Sequence, residues 1–229
     1  CLRLPTGGGK TFLSAHSIKI AAQNYVEKDY PMVLWLTPSS TIKEQTIATL
    51  KNPTHPNREI LDNAFNGNVA IFDIDDFATI RPHDIANKVC VFVSTIQSFN
   101  VKNTDIRNIY AHNENLEPHF VNITSNTDAL ERIEADKEGA GKIKNSFANL
   151  LHINNPIVIV DEAHKAVTDL NREIMKRINP ACIIEFTATP NEKESNVLHR
   201  TSALELKVEE MIKLPIILAE HQTWQQSIT

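Results

Sequence analysis

Two stretches of this sequence carry groups suited to a triphosphate. The first is Leu4-Pro5-Thr6-Gly7-Gly8-Gly9-Lys10-Thr11, which has the shape of the phosphate-binding pattern G-x-x-x-x-G-K-[ST]. A triphosphate must be wrapped by backbone N–H groups, so the chain must turn tightly and approach closely, and glycine permits both. Pro5, Thr6, Gly7, Gly8 and Gly9 would form the wrap. Lys10 would reach the β- and γ-phosphates, and the Thr11 hydroxyl would hold Mg²⁺. A helix starting near Lys10 would point its positive end at the anion. The pattern is incomplete, because Leu4 stands where a small residue is expected. The plain alternative is a Gly-rich turn between a strand and a helix.

The second stretch is Asp161-Glu162-Ala163-His164, which follows the apolar run Ile157–Val160. The Asp161 carboxylate suits a Mg²⁺ water shell beside Thr11. Glu162 is placed to orient and deprotonate an attacking water. The alternative is an acid pair at a helix N-terminus, favoured by the helix dipole. His164 has no His or Cys partner at metal-ligand spacing and reads as a polar link between the nucleotide site and a neighbouring surface. The acidic run Asp73-Ile74-Asp75-Asp76 reads as a solvated turn, with a metal site as the alternative.

These groups need a frame. Met32–Leu36, Val69–Phe72, Val89–Val93, Ile157–Val160 and Ala181–Phe186 are short continuous apolar runs, as buried strands of a parallel sheet require, and Cys1–Leu4 reads as a further strand. Helices are expected over Phe12–Val26, from Ser39 or Ser40 to Leu50, and over Thr168–Ile178. Asn52–Asn57 holds two prolines and reads as a loop. The polar segment 100–155 reads as an insertion, with helices near Asp128–Lys137 and Ile143–His152. Weaker signals mark a helix near Leu206–Ile212 and a strand at Ile216–Leu218. The alternation predicts an α/β domain with a mainly parallel sheet flanked by helices. In such a sheet ligands gather at the carboxyl ends of strands. The Gly-rich loop, Thr37-Pro38, Ser94-Thr95, Asp161-Glu162 and Thr187-Ala188-Thr189 each follow an apolar run.

Composition narrows the function. The chain has 229 residues, is 41% hydrophobic and 22% charged, and carries a net charge of −5. That argues against coating DNA through bulk positive charge. It leaves room for a motor that grips phosphates through backbone amides and a few side chains. No apolar run approaches membrane length, and no signal peptide opens the chain. The cysteines, Cys1, Cys90 and Cys182, lack metal or disulfide spacing, so the expectation is a reduced, cytoplasmic protein with no membrane partner.

Pro5-Thr6-Gly7-Gly8-Gly9-Lys10-Thr11, Asp161-Glu162-Ala163-His164 and Thr187-Ala188-Thr189-Pro190, in that order, resemble motifs I, II and III of superfamily 2 helicases and translocases. Ile157–Ala166 and Cys182–Pro190 are most similar to the helicase (Res) subunits of type III restriction enzymes and their DEAD/DEAH relatives. Ser195–Leu198 and Met211–Ile216 resemble that family's segment after motif III. The resemblance implies a RecA-like P-loop NTPase domain, the first of two, that uses ATP and Mg²⁺. Lys10, Asp161 and Glu162 would be catalytic, with Thr11 and Asp161 holding the metal. His164, Thr187 and Thr189 would couple hydrolysis to movement. Thr37, Pro38, Ser39, Ser94, Thr95 and Gln97 would touch a nucleic-acid backbone, although the same hydroxyls suit helix capping.

The implied partners are DNA, duplex or single strand and read without regard to sequence, a second RecA-like domain of the same chain, and a modification (methyltransferase) subunit. An upstream adenine-recognising segment, a second domain with an arginine finger and a nuclease motif are absent from the sequence. The expectation is therefore a first motor domain spanning 1–229 cut from a larger enzyme, with 200–229 leading towards the second. Alternatives are a related ATPase acting on RNA or outside restriction, and a nucleotide-dependent P-loop scaffold.

Overall fold

The computed structural model describes residues 1–5, 7–99, 108–123, 127–162, 169–190 and 195–209. Its centre is a seven-stranded sheet in which every pairing is parallel. The strands are β1 (Leu2–Arg3), β2 (Met32–Thr37), β3 (Val69–Asp73), β4 (Val89–Thr95), β5 (Ile157–Asp161), β6 (Cys182–Thr187) and β7 (His199–Arg200). Their order is β3-β4-β2-β5-β6-β1-β7.

The apolar runs follow from burial on both faces. Successive side chains alternate across a strand. Val33, Trp35, Val91, Val93, Ile157 and Ile159 enter one core. Met32, Leu34, Leu36, Cys90, Phe92, Val158 and Val160 enter the other. The first core is closed by helices α1 (Lys10–Ala21), α2 (Ser40–Lys51) and α3 (Pro56–Phe65), through residues such as Ala15, Ile18, Leu50, Leu61 and Phe65. The second is closed by α5 (Phe147–Asn154) and α6 (Asp169–Ile178), with Phe77, Tyr110 and Leu116 from short turns. The small helices α4 (Pro82–Asn87) and α7 (Ala203–Val208) complete the set among the described residues.

Several expectations shift. The helix expected over Phe12–Val26 begins at Lys10 and passes into a π-turn over Ala22–Val26, which Glu27 ends in the left-handed region. The Asn52–Asn57 loop gives way to α3 at Pro56. Proline at the first helical position loses no hydrogen bond it would otherwise make. His55 Nδ1 then accepts from the Asn57 N–H at 3.1 Å, and Arg58 pairs with Asp62 one turn on.

No helix forms over Asp128–Lys137. A single 3₁₀ turn, Thr127–Ala129, is followed by a bridge between Arg132 and Ile143. Gly139 and Gly141, both at φ 80°, return the chain and so favour pairing over a helix. Because 143–145 serve this return, the following helix starts later than Ile143, at Phe147, where Ser146 caps it by accepting from Asn149 N–H. Asp73–Asp76 opens a 3₁₀ turn over Ile74–Thr79, and Lys43 Nζ lies 2.7 Å from Asp73 and 3.2 Å from Asp75. The helix expected near Leu206–Ile212 starts earlier, because Ser202 and Glu205 form a capping box. The strand expected at Ile216–Leu218 lies outside the described residues. No helix among the described residues is long and apolar enough to cross a membrane.

Candidate functional site

Because the strands are parallel, their carboxyl ends share one edge. Leu4, Thr37, Thr95, Asp161 and Thr187 stand there. Between β1 and α1 the loop turns back on itself, with Gly8 N–H donating to the Pro5 carbonyl at 3.0 Å. Gly7 and Gly9 take φ of 81° and 73°, a region costly for residues with a Cβ. A Cβ on Gly8 would meet Leu206 Cδ1 of α7 at 2.9 Å and the Pro5 oxygen at 3.0 Å. Glycine is therefore favoured at all three positions, by conformation at Gly7 and Gly9 and by space at Gly8.

Helix α1 begins without a cap. Gly9 offers no side chain, and no acid lies in the first turn. By contrast Ser39, Ser146 and Ser202 cap α2, α5 and α7. The first N–H groups of α1 are thus left to an external anion, where the helix dipole also favours negative charge. They open on a cleft of about 390 Å³ lined by Gly7, Gly9, Lys10, Thr11, Phe12, Asn57, Asp161 and Glu162. Loop and acid pair, far apart in sequence, therefore meet.

Inside the cleft Lys10 Nζ lies 2.7 Å from Glu162 Oε1, with side chains only 10% and 18% exposed. Such a shielded pair is little screened by salt. Glu162 takes φ 54°, a left-handed conformation rare for residues other than glycine. Asp161 is 7% exposed, and its Oδ1 is sealed from solvent with no hydrogen-bond partner. Burial raises the Asp161 pKa, the Glu162 charge raises it further, and Lys10 and the Glu162 backbone N–H only partly oppose this. A buried and unsatisfied carboxylate oxygen beside the Gly-rich loop and Lys10 fits a site completed by a cation.

The sign of that shift gives a prediction. An acid whose folded pKa lies above its unfolded value binds its proton more tightly when folded. Stability then falls as pH rises from the unfolded value towards the folded one, and stays lower above it. The folded state thus disfavours the charged form of Asp161. Asp161→Asn is expected to stabilise the nucleotide-free domain by about 1 kcal/mol, roughly 2–4 °C in unfolding midpoint. The same variant should lose any Mg²⁺-dependent gain. A lower midpoint at pH 7 without nucleotide would count against this description of the site.

Other predicted residues are less alike than their types suggest. Thr37 and Ser94 are fully buried. Thr37 Oγ1 donates to the Ser94 carbonyl at 3.1 Å, tying β2 to β4, and Ser94 Oγ donates to the Thr95 carbonyl. Ser39 and Gln97 are exposed, and Pro38 and Thr95 half-buried. Ser39 Oγ accepts from Ile42 N–H and Thr95 Oγ1 bonds Ser98. Thr187 is buried, and its Oγ1 accepts from the N–H of the exposed Thr189. The Thr187 carbonyl accepts from Leu4 N–H at 2.9 Å, so this strand end is fastened to the start of the loop. Neither threonine lines the cleft. Thr6 and His164 lie outside the described residues. Sequence reasoning missed Phe12 and Asn57; Phe12 could have been found from its place beside Thr11.

A second cleft, of about 470 Å³, contains none of the predicted groups. It is lined by carboxamides, His119 and His152, and Asn155 and Asn179 place it at the amino ends of β5 and β6.

The family described as "Type III restriction enzyme, res subunit" matches residues 1–192. No curated protein gives a significant match. Similar solved structures include a nuclease-deletion mutant of the Type ISP restriction-modification enzyme LlaGI in complex with a DNA substrate mimic. It is 16% identical with a TM-score of 0.45, and the match covers 92% of this chain and 18% of that one. Another is the Sulfolobus solfataricus SWI2/SNF2 ATPase core in complex with dsDNA, 18% identical with a TM-score of 0.39, covering 85% of this chain and 28% of that one. The chain thus spans less than a third of either protein. With its Gly-rich loop, acid pair and strand-end threonines on one sheet edge, and the family model matching residues 1–192, the chain belongs to the type III restriction enzyme res-subunit family.

Proposed function

We propose that this domain is the ATP-binding half of a DNA translocase or helicase within a restriction enzyme. The observation that carries the proposal is the meeting of the uncapped α1 terminus, the Lys10–Glu162 pair and the unsatisfied Asp161 oxygen in one cleft. Gly7, Gly9 and the first N–H groups of α1 would hold the phosphates. Thr11 and Asp161 would hold Mg²⁺, which supplies charge neutralisation to phosphoryl transfer when bound. Lys10 exchanges Glu162 for a phosphate oxygen. The released carboxylate accepts a proton from the attacking water. Thr187, tied to Leu4, and Thr189 relay the change along the sheet edge, with His164 assigned to the same relay. An arginine from a second RecA-like domain would complete the charge stabilisation, and a methyltransferase subunit would be a partner of the whole enzyme. The deciding experiment is ATP hydrolysis by the intact protein with and without duplex DNA, single-stranded DNA and RNA. Stimulation by RNA alone, or by none of the three, would remove the DNA motor reading.

The nucleic-acid track lies at the ends of β2 and β4. With the Thr37 and Ser94 side chains turned inward, their proposed contribution is through the backbone, and Pro38, Ser39, Thr95 and Gln97 provide the surface. Ser39→Asp keeps a capping oxygen but sets a negative charge where a phosphate would lie. We expect DNA binding by the intact protein to weaken about tenfold, the equivalent of one charge-assisted hydrogen bond, with the unfolding midpoint unchanged. Fluorescence anisotropy with labelled oligonucleotides reads this, and unaltered affinity would move the track elsewhere.

A further inference from the structure

Asn57 has no part in the chemistry above, yet it forms a wall of the cleft with Lys10, Thr11, Asp161 and Glu162. It sits in the first turn of α3 and is only 7% exposed. A buried carboxamide carries two N–H donors and an oxygen acceptor, and each needs a partner. Its surroundings fix which end faces which way. Thr49 Oγ1 donates its hydrogen to the Thr46 carbonyl at 2.9 Å, so towards Asn57 it can only accept. Asn57 therefore turns Nδ2 to Thr49, at 3.3 Å. One Nδ2 hydrogen is used there. The second hydrogen and Oδ1 engage no other group among the described residues, and Oδ1 is not sealed as the Asp161 oxygen is. An oriented, half-satisfied amide is left open to a cleft whose other polar side chains are one ammonium, one hydroxyl and two carboxylates.

We propose that Asn57 contacts the terminal phosphoryl group of a bound nucleoside triphosphate and sets the preference for triphosphate over diphosphate. The inference rests on the nucleotide-site reading given above. Two acids in the cleft can only repel phosphate oxygens unless a cation intervenes. Asn57 adds a donor that carries no charge. Its grip on Thr49 holds that donor in place, and α3 supplies it from a part of the sequence distant from both the loop and the acid pair.

The test is equilibrium binding to the intact protein, with Mg²⁺ present, of the non-hydrolysable β,γ-imido analogue of ATP and of ADP. Asn57→Ala is expected to weaken the triphosphate analogue about tenfold and ADP less than about twofold. Asn57→Asp, which adds a third carboxylate, should weaken the analogue more than Asn57→Ala does. Equal losses for both nucleotides, or no loss, overturn the proposal. If Asn57→Ala does not fold, Thr49→Val decides. It removes the acceptor that orients the amide and should reduce the same selectivity, and unchanged selectivity overturns the proposal. Lys10→Ala separates the two levels. If it binds both nucleotides as the wild type does, the nucleotide-site reading fails and this inference with it. If it loses both while Asn57→Ala keeps wild-type selectivity, only the role of Asn57 is refuted.

Discussion

Glu162→Gln in the intact protein is expected to cut ATP turnover by about 10²–10⁴-fold, the usual contribution of a positioned general base. Glutamine fills nearly the same space and still bonds, but it cannot take the proton from water. Nucleotide affinity should hold or rise. Lys10 is paired with Glu162 at 2.7 Å, so a phosphate must displace that carboxylate to gain the ammonium. The substitution removes the competitor together with the base. Steady-state hydrolysis and equilibrium binding, measured on the same preparation, should therefore move apart. Turnover retained within about tenfold of wild type would assign the base to another group.

Lys10→Ala should have the opposite signature, with binding lost first. A nucleotide at a hundredfold excess over its Kd stabilises the folded state by about 2.7 kcal/mol. Most of that gain should vanish without the ammonium. The comparison must be made with and without nucleotide for each protein, because the variant carries a second change. Removing Lys10 leaves Glu162 without its 2.7 Å ion pair, next to the buried Asp161. The ligand-free variant should itself melt lower, for a reason unrelated to phosphate. A nucleotide-induced rise of wild-type size in Lys10→Ala would remove the phosphate loop from the account.

The sheet was legible in the sequence because its strands are buried on both faces, so β2, β4 and β5 read as unbroken apolar runs with a polar group at each end. That alone placed the loop and Asp161 on one edge. What could not be read has local causes. The start of α3 was hidden by Pro56, since a proline that breaks a helix interior is welcome at its first position. The Asp128–Lys137 stretch carries helix-forming residues, but Gly139 and Gly141 redirect them into a return. Which strand-end hydroxyls face inward depends on register: Thr37 lies opposite Thr95, and its hydroxyl reaches the neighbouring Ser94 carbonyl. The Lys10–Glu162 pair and the aim of Asn57 depend on contacts between elements far apart in the chain. No local pattern encodes these.

The two residues at the end of β5 have a consequence for how this chain would change under selection. Asp161 keeps a buried oxygen unpaired, and Glu162 holds a backbone conformation that costs of order 1 kcal/mol outside glycine. The Asp161 oxygen lowers the stability of the domain, whereas Glu162 offsets its backbone cost through the ion pair with Lys10. A population of variants chosen only for resistance to heat would therefore drift here first, towards Asn at 161, while the rest of the strand stayed apolar. Such variants would be tougher and inert. Persistence of Asp161 across a lineage would then measure how strongly activity, rather than folding, is being retained.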